Sequence, residues 1–290
     1  MLRNNQSMMT AAARKRLAPL MCRLAAAFAT GIWFPALCRA TTVTDLSGHG
    51  HNGTLGVGFT GATSPTLTGS YATFTNLTDT IDLAGNVPLT NQATYEATVL
   101  FTNTTYPLSN NEGLIWSSYQ DSVQDTRISI QGGGQLTAFS YPVNNPNQFT
   151  NGSLQTGVWY DLAYVYDGSQ EREYVNGQLI ASRAASGNIS IGSANIMALG
   201  ALPRDGQVPA AYSFEGDLAS VRISNIALYS GSSYNAISGP GDFSDGASTQ
   251  ALYDFAPVPE PSSLCILAGF AGAGLTRRRR KTESTFRATL

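Results

Sequence analysis

Two turn signals in the middle of the chain constrain its fold most. Asp167-Gly168 and Asn176-Gly177 separate strand-like runs in the segment "VWYDLAYVYDGSQEREYVNGQLIAS", residues 158–182. Both dipeptides are typical of tight β-hairpin turns, because Asn, Asp and Gly tolerate the positive φ angles that such turns require. The segment therefore predicts antiparallel strands joined by short turns.

Other parts of the chain show the same two-residue period. In "ATYEATVLF", residues 93–101, Tyr95 and Val99 fall on one face of a strand while Glu96 falls on the other. From residue 41 to about 255 there is no useful helical periodicity, and charged residues make up only 12% of the chain. Many short strands with closely spaced turns predict a β-sandwich or a barrel.

The N-terminal 40 residues have the composition of an export signal. A basic stretch ends at Arg16, an apolar run follows at residues 24–37, and Cys38 and Ala40 are the small residues before a polar segment. This order predicts a secretory signal peptide, residues 1–40, that is cleaved after Ala40. An uncleaved membrane anchor is the alternative, although 14 apolar residues are few for a span of about 20.

The C-terminal segment, residues 256–290, combines three features. Pro259-Glu260-Pro261 stands just before an apolar run at residues 264–275, and an arginine cluster follows: Arg277, Arg278, Arg279 and Arg280. The combination resembles the PEP-CTERM sorting signal. The resemblance implies processing by an exosortase, a membrane transpeptidase, and a transient membrane anchor through the apolar segment. An ordinary C-terminal anchor is the alternative.

Charge and cysteine content restrict what the middle of the chain can do. Residues 41–276 hold 18 of the 19 acids, five arginines and no lysine, a formal charge of −13. Such a domain repels nucleic acid. Cys22, Cys38 and Cys265 all lie in the end segments, so the domain has no disulfide, thiol nucleophile or cysteine metal site.

Three motifs carry a family resemblance. They are "DLSGHGHNGTL" at residues 45–55, the hairpin segment at residues 158–182 and "FEGDLASVRISNIALY" at residues 214–229. In this order they resemble bacterial laminin-G-like, pentraxin-related domains of the concanavalin A-like family. The resemblance implies an all-β fold, an antiparallel β-sandwich of jelly-roll type, over residues 41–255. One departure is Ala219, where the family often carries Asp, and calcium ligation there is weakened.

Enzymes of this fold carry paired carboxylates as E-x-D-x-x-E or E-x-D-x-E on one strand. Glu215 and Asp217 supply the first half of that motif, but positions 219 and 220 lack the third acid. We therefore interpret both as residues near the start of the closing strand and predict a protein that is not an enzyme.

Two other residue pairs have the spacing of a catalytic or metal-binding site. Glu171 and Glu173 follow a turn and flank Arg172, so we interpret them as a solvated hairpin face. His49 and His51 have a spacing that could clasp a metal, but they lie in a Gly-rich loop with no third ligand, which favours a surface loop.

Binding remains. No cofactor is required, but loop carboxylates suit calcium, and sugars stack on aromatic rings. The candidates for calcium are Asp121, Asp125 and Asp205, and those for a ligand are Trp116, Tyr141 and Tyr212. Trp116 and Trp159 also fit a core position, since they lie in apolar strand runs.

These observations predict an exported protein of the cell surface or extracellular matrix. It binds polysaccharide or another protein, without catalysis, through the rim or one face of the sandwich. Two alternatives stay open: a divergent polysaccharide-active enzyme, and a purely structural matrix component.

Overall fold

The structure is a computed structural model. The residues it describes are 42–57, 60–89, 91–103, 112–119, 125–140, 143, 149–191, 196–202, 212–241 and 243–255. The predicted signal peptide with Ala40 and the predicted sorting segment with Glu260 lie outside these residues. Within them, no helix is long and apolar enough to cross a membrane.

The described chain is built from β-strands joined by turns and loops. In chain order the strands are β1 (Thr42–Val43), β2 (Gly53–Leu55), β3 (Thr66–Leu67), β4 (Ala72–Phe74), β5 (Ile81–Leu83), β6 (Ala93–Phe101), β7 (Glu112–Tyr119), β8 (Asp125–Gln131), β9 (Gln135–Ser140), β10 (Phe149–Asn151), β11 (Trp159–Tyr166), β12 (Gln170–Val175), β13 (Gln178–Ala184), β14 (Ile196–Leu199), β15 (Gly216–Ser224) and β16 (Thr249–Asp254).

The strands form two sheets. The first sheet has the order β1-β2-β5-β14-β7-β8-β9-β10, and the second has the order β13-β12-β11-β6-β15-β4-β3, with β16 paired to β15 beyond the end of β4. Neighbouring strands in both sheets run antiparallel. The predicted all-β, antiparallel two-sheet fold is confirmed.

The core lies between the sheets, and alternate residues of the strands contribute to it. From β6, Tyr95, Val99 and Phe101 join this cluster, and from the first sheet Trp116 and Ile128 do. The rings of Tyr95 and Trp116 meet at a centroid distance of 4.9 Å across the interface. Since every fully buried large side chain contributes about 1.5–3 kcal/mol, this apolar layer holds the two sheets together.

Both predicted turns are present. Asp167-Gly168 joins β11 to β12, and the Asp167 side chain accepts hydrogen bonds from the backbone N–H groups of Ser169 and Gln170, both at 2.8 Å. Asn176 and Gly177 join β12 to β13 with φ angles of 49° and 74°. Two successive positive φ values are those of the tight hairpin turn that the Asn-Gly pair predicts.

The loop between β1 and β2 is organised by Asp45. Its carboxylate accepts backbone hydrogen bonds from Ser47, His51 and Leu252, each at 3.0 Å. Burial by itself would raise the pKa of Asp45, but these hydrogen bonds outweigh it and hold the pKa below its usual value. Because Leu252 belongs to β16, this residue also connects the beginning of the domain to its last strand.

Candidate functional site

The outer face of the second sheet divides into two halves. A cover segment, described over residues 225–241 and 243–248, connects β15 to β16 and packs on the half formed by the middle of β6, β11 and β12. There Ala163, Val165 and Tyr174 form an apolar cluster with Tyr229 and Tyr234 of the cover segment. The protein itself therefore occupies this half.

Charged groups beneath the cover segment form hydrogen bonds within the protein. Glu96 is fully buried and receives two hydrogen bonds from Arg222, from Nε at 2.6 Å and from Nη2 at 2.9 Å, and one from the Tyr229 hydroxyl at 2.6 Å. Asp161 accepts from the hydroxyl of Tyr234 at 2.9 Å. Burial, with a contribution from the charge of Glu96, raises the pKa of Asp161 to about 6.

On the other half of the outer face, here called the open half, the described side chains keep part of their surface in solvent. One row of cross-strand partners runs over it: Thr73 of β4, Asp217 of β15, Leu100 of β6 and Trp159 of β11. Alternation places these side chains opposite the core residues Phe74, Leu218 and Phe101, hence on the outside of the sheet. All four are partly exposed.

An aromatic pair crosses this open half. The rings of Tyr71, just before β4, and Trp159 approach to 5.7 Å between centroids with an interplanar angle of 57°. Two strands, β15 and β6, lie between the strands that carry them. At about 4.8 Å per strand the backbones are some 14 Å apart, so both side chains must lean across the sheet towards each other. Both rings keep part of their surface in solvent.

Two carboxylates accompany the aromatic pair. Asp217 is partly exposed, and within the described part of the chain its carboxylate has no hydrogen-bond or ion-pair partner. Glu215, two residues earlier on the same face, accepts a hydrogen bond from Nδ2 of Asn103 at 2.6 Å. Aromatic faces with a few convergent polar groups are the usual composition of a small-molecule binding surface.

The register of β15 bears on the catalytic alternative. The strand is irregular between Leu218 and Ser220, where the intervening Ala219 has no partner on β6 and is fully buried. Ala219 and Ser220, both fully buried, therefore stand at the two positions where the motif would place its third acid. Asp217 on β15 and Glu215 just before that strand are the acids near this face.

The aromatic residues that the sequence suggested as ligand contacts lie in different parts of the structure. Trp116 is fully buried between the sheets, which contradicts it as a ligand candidate. Tyr212 is partly buried and packs on Tyr119 and Leu202. Tyr141 lies outside the described residues. Trp159, which fitted a core position in the sequence, instead lies on the outer face because its alternation partner Tyr160 is the residue that packs against the core.

The metal candidates remain untested. Asp121 and Asp205 lie outside the described residues, and Asp125 is the first residue of β8. In the regions that the structure covers, no group of three or more His, Cys, Asp or Glu side chains could hold a metal ion. His49 is exposed as predicted, but His51 is buried, with Nδ1 at 2.8 Å from the backbone oxygen of Ala84. The two rings therefore lie in different surroundings.

The interpretation of Glu171 and Glu173 as a solvated hairpin face is wrong. Both point into the sandwich and are buried, with 2% and 0% of their surface exposed. Glu171 accepts hydrogen bonds from the Tyr164 hydroxyl at 2.8 Å and from Arg183. Glu173 accepts one from Nδ2 of Asn151 at 2.9 Å. Burial, reinforced by the charge of Glu171, raises the pKa of Glu173 to about 9.

Among solved structures, several resemble this chain at low identity. A heptameric SAP-like pentraxin from Limulus polyphemus is 19% identical over 52% of this chain and 71% of its own, with a TM-score of 0.40. Domain 4 of a GH43 extracellular arabinanase from Geobacillus stearothermophilus, in complex with arabinotriose, is 20% identical over 64% and 88%, with a TM-score of 0.49. Domains LG4-5 of the mouse laminin alpha1 chain are 14% identical over 62% and 48%, with a TM-score of 0.43.

Two family models match separate stretches of this chain. No curated protein matches the chain significantly. A laminin-G model described as the concanavalin A-like lectin/glucanases superfamily matches residues 68–231, which is more than half of the chain. A second model, the PEP-CTERM protein-sorting motif, matches residues 257–281. The chain therefore belongs to the concanavalin A-like lectin/glucanases superfamily and carries a PEP-CTERM sorting motif.

Proposed function

We propose that this protein binds carbohydrate, without catalysis, at the open half of its second sheet. The observation that carries the proposal is the Tyr71–Trp159 pair, whose rings lie across the sheet 5.7 Å apart beside the carboxylate of Asp217. An aromatic face stacks on the apolar face of a pyranose ring, and a neighbouring carboxylate accepts hydrogen bonds from its hydroxyl groups. Neither feature is needed for the core, which lies on the other side of the sheet.

The sorting motif fits a role outside the cell. A PEP-CTERM motif indicates an exported protein that is sorted by an exosortase. We propose that residues 1–40 are the removable leader, that residues 41–255 are the binding domain, and that residues 256–290 hold the domain at the membrane until processing. The released domain would then reach the cell surface or the surrounding matrix.

Catalysis is the competing function, since the superfamily includes glucanases. Glu215, just before β15, and Asp217 on that strand provide two nearby carboxylates, and glycoside hydrolysis uses such a pair. Ala219 is buried where a further acid would stand, and Asn103 holds one oxygen of Glu215. We therefore assign both carboxylates to ligand contact rather than to bond cleavage.

Glycan binding by the full chain tests the proposal. The chain is purified in a detergent without a sugar headgroup and applied to a glycan array, and Trp159→Ala is compared with the wild type. Loss of one stacked ring should weaken binding by about two- to tenfold, since an aromatic contact is worth about 0.5–1.5 kcal/mol. Phe139→Ala is the matched control, because Phe139 is a partly exposed aromatic residue on the outer face of the other sheet.

Two results would count against the proposal. One is that Trp159→Ala binds every glycan that the wild type binds with the same affinity as the wild type. The other is release of reducing ends from a bound polysaccharide by the wild type and not by Glu215→Gln, which would make the protein an enzyme.

A further inference from the structure

We infer that the open half selects glycans that carry protonated amino groups and rejects glycans that carry carboxylate or sulfate groups. The inference rests on the proposed carbohydrate binding and adds the charge of the ligand. It follows from the side chains that surround the Tyr71–Trp159 pair and from the positions of the arginines of the domain.

The first observation is an uncompensated negative charge beside the aromatic rings. Asp217 lies between Thr73 and Leu100 in the central row, and its carboxylate has no ion-pair partner among the described residues. Glu215 stands two residues away on the same face, and its hydrogen-bond partner, the amide of Asn103, is neutral. Two acids on one surface repel an anionic ligand and stabilise a cationic one.

The second observation concerns the arginines, because a site for acidic polysaccharide needs them. Residues 41–276 contain five arginines and no lysine. Arg183 points into the sandwich to Glu171, Arg222 lies under the cover segment with Glu96, and Arg172 pairs with Asp167 at the hairpin turn. Arg127 belongs to the first sheet, where it stacks over Phe139. None of these four therefore reaches the open half, and Arg204 lies outside the described residues.

The third observation is the chemistry of the aromatic pair itself. Trp and Tyr rings attract a cation through the negative potential of their faces. An ammonium group on a sugar ring is therefore favoured twice here, by the ring faces and by the carboxylate of Asp217. A neutral sugar gains only the stacking and the hydrogen bonds, and a uronic acid meets repulsion from both carboxylates.

Three hexasaccharides that differ in charge test this inference on the full chain. They are fully deacetylated chitohexaose, its fully N-acetylated form and hexagalacturonate, measured at pH 5.5 so that the amines are protonated. We expect the deacetylated form to bind about fivefold more tightly than the acetylated one, as a partly exposed charge pair allows, and hexagalacturonate to bind weakest. Asp217→Asn should remove most of that preference.

The control is Asp245→Asn, which removes the same charge from an exposed position on the cover segment. If both variants reduce the preference equally, the effect comes from the net charge of the domain, and the inference fails. Equal affinity for the deacetylated and the N-acetylated hexasaccharide, together with weaker binding by Trp159→Ala, would overturn the charge selection. It would leave the proposed carbohydrate binding intact. Tightest binding of hexagalacturonate would also overturn it. If neither the wild type nor Trp159→Ala binds any glycan, the proposed function is contradicted as well.

Discussion

The hydroxyl of Tyr234 donates a hydrogen bond to Oδ1 of Asp161 at 2.9 Å, while the backbone N–H of Ile237 donates to Oδ2 of the same carboxylate at 2.6 Å. A single buried side chain of β11 therefore fastens the middle of the cover segment. Because the cover segment packs on the covered half of the sheet, this contact also helps to set the border of the proposed binding surface.

Removal of that carboxylate should loosen the cover segment. Asp161→Ala leaves the Tyr234 hydroxyl and the Ile237 amide without their acceptor, and we expect a loss of about 2–4 kcal/mol in the free energy of unfolding. Hydrogen exchange at Ile237 should accelerate more than exchange in β6. Asp245→Ala is the control, since the exposed Asp245 accepts from its neighbour Gly246 and should change stability by less than about 0.5 kcal/mol. Unchanged protection of Ile237 in Asp161→Ala would show that the apolar contacts alone hold the segment.

The second prediction concerns Glu173, whose pKa is raised to about 9 in the folded protein. The unfolded chain ionises this group near its usual value of 4.5, while the folded chain still holds the proton. Folding stability from this group is therefore fully present below pH 4.5 and is lost as the pH rises towards 9. Glu173→Gln removes that loss, so the variant should be more stable than the wild type at pH 8, by about 2 kcal/mol, and nearly equal to it at pH 4.5.

Denaturant unfolding at several pH values measures this difference. Glu171→Gln provides the contrast, because Glu171 is the partner of Arg183 and its loss leaves a charged group without its ion pair. That variant should be destabilised at pH 8, not stabilised. A stability difference between Glu173→Gln and the wild type that does not grow with pH would contradict the assignment of a buried neutral acid.

The sequence predicts part of this arrangement and misses part, for a physical reason. Alternation in β6 and the two turn dipeptides correctly predict strands, turns and shared faces. Alternation does not say which face of β12 is inside, because Glu173 on one side and Tyr174 on the other are both buried. The Tyr71–Trp159 pair depends on strands that are distant in sequence coming together in the order β4-β15-β6-β11, and no local pattern records that order.

A third prediction compares two glycines with nearly equal backbone angles. Gly200 has a φ of 84°, and a Cβ built on it would collide with the buried ring of Phe74. Gly133 has a φ of 83°, in the β8–β9 turn, and a Cβ there meets nothing within 4 Å. Gly133→Ala should therefore cost only the backbone strain, about 1 kcal/mol, whereas Gly200→Ala should cost about 3 kcal/mol or more. Thermal unfolding of both variants checks the ranking, and equal losses would mean that Phe74 yields without cost.

The last prediction concerns the sorting segment. The PEP-CTERM match covers residues 257–281, and Pro259, Glu260 and Pro261 stand just before the apolar run. Prolines on both sides of Glu260 favour an extended backbone that an enzyme at the membrane surface can grip. The arginine cluster, costly to move through hydrocarbon, should stop transfer and leave this motif outside.

In a host with an exosortase, the mature protein should therefore end near residues 259–261 and leave the inner membrane. Glu260→Ala should yield a longer form that stays with the membrane fraction, because the enzyme loses the charged group between the two prolines. Glu283→Ala is the matched control: it removes the only acid after the arginine cluster and should be processed like the wild type. Mass spectrometry of the mature C-terminus gives the readout, and extracellular protein that still extends to Leu290 would show that this segment is no sorting signal.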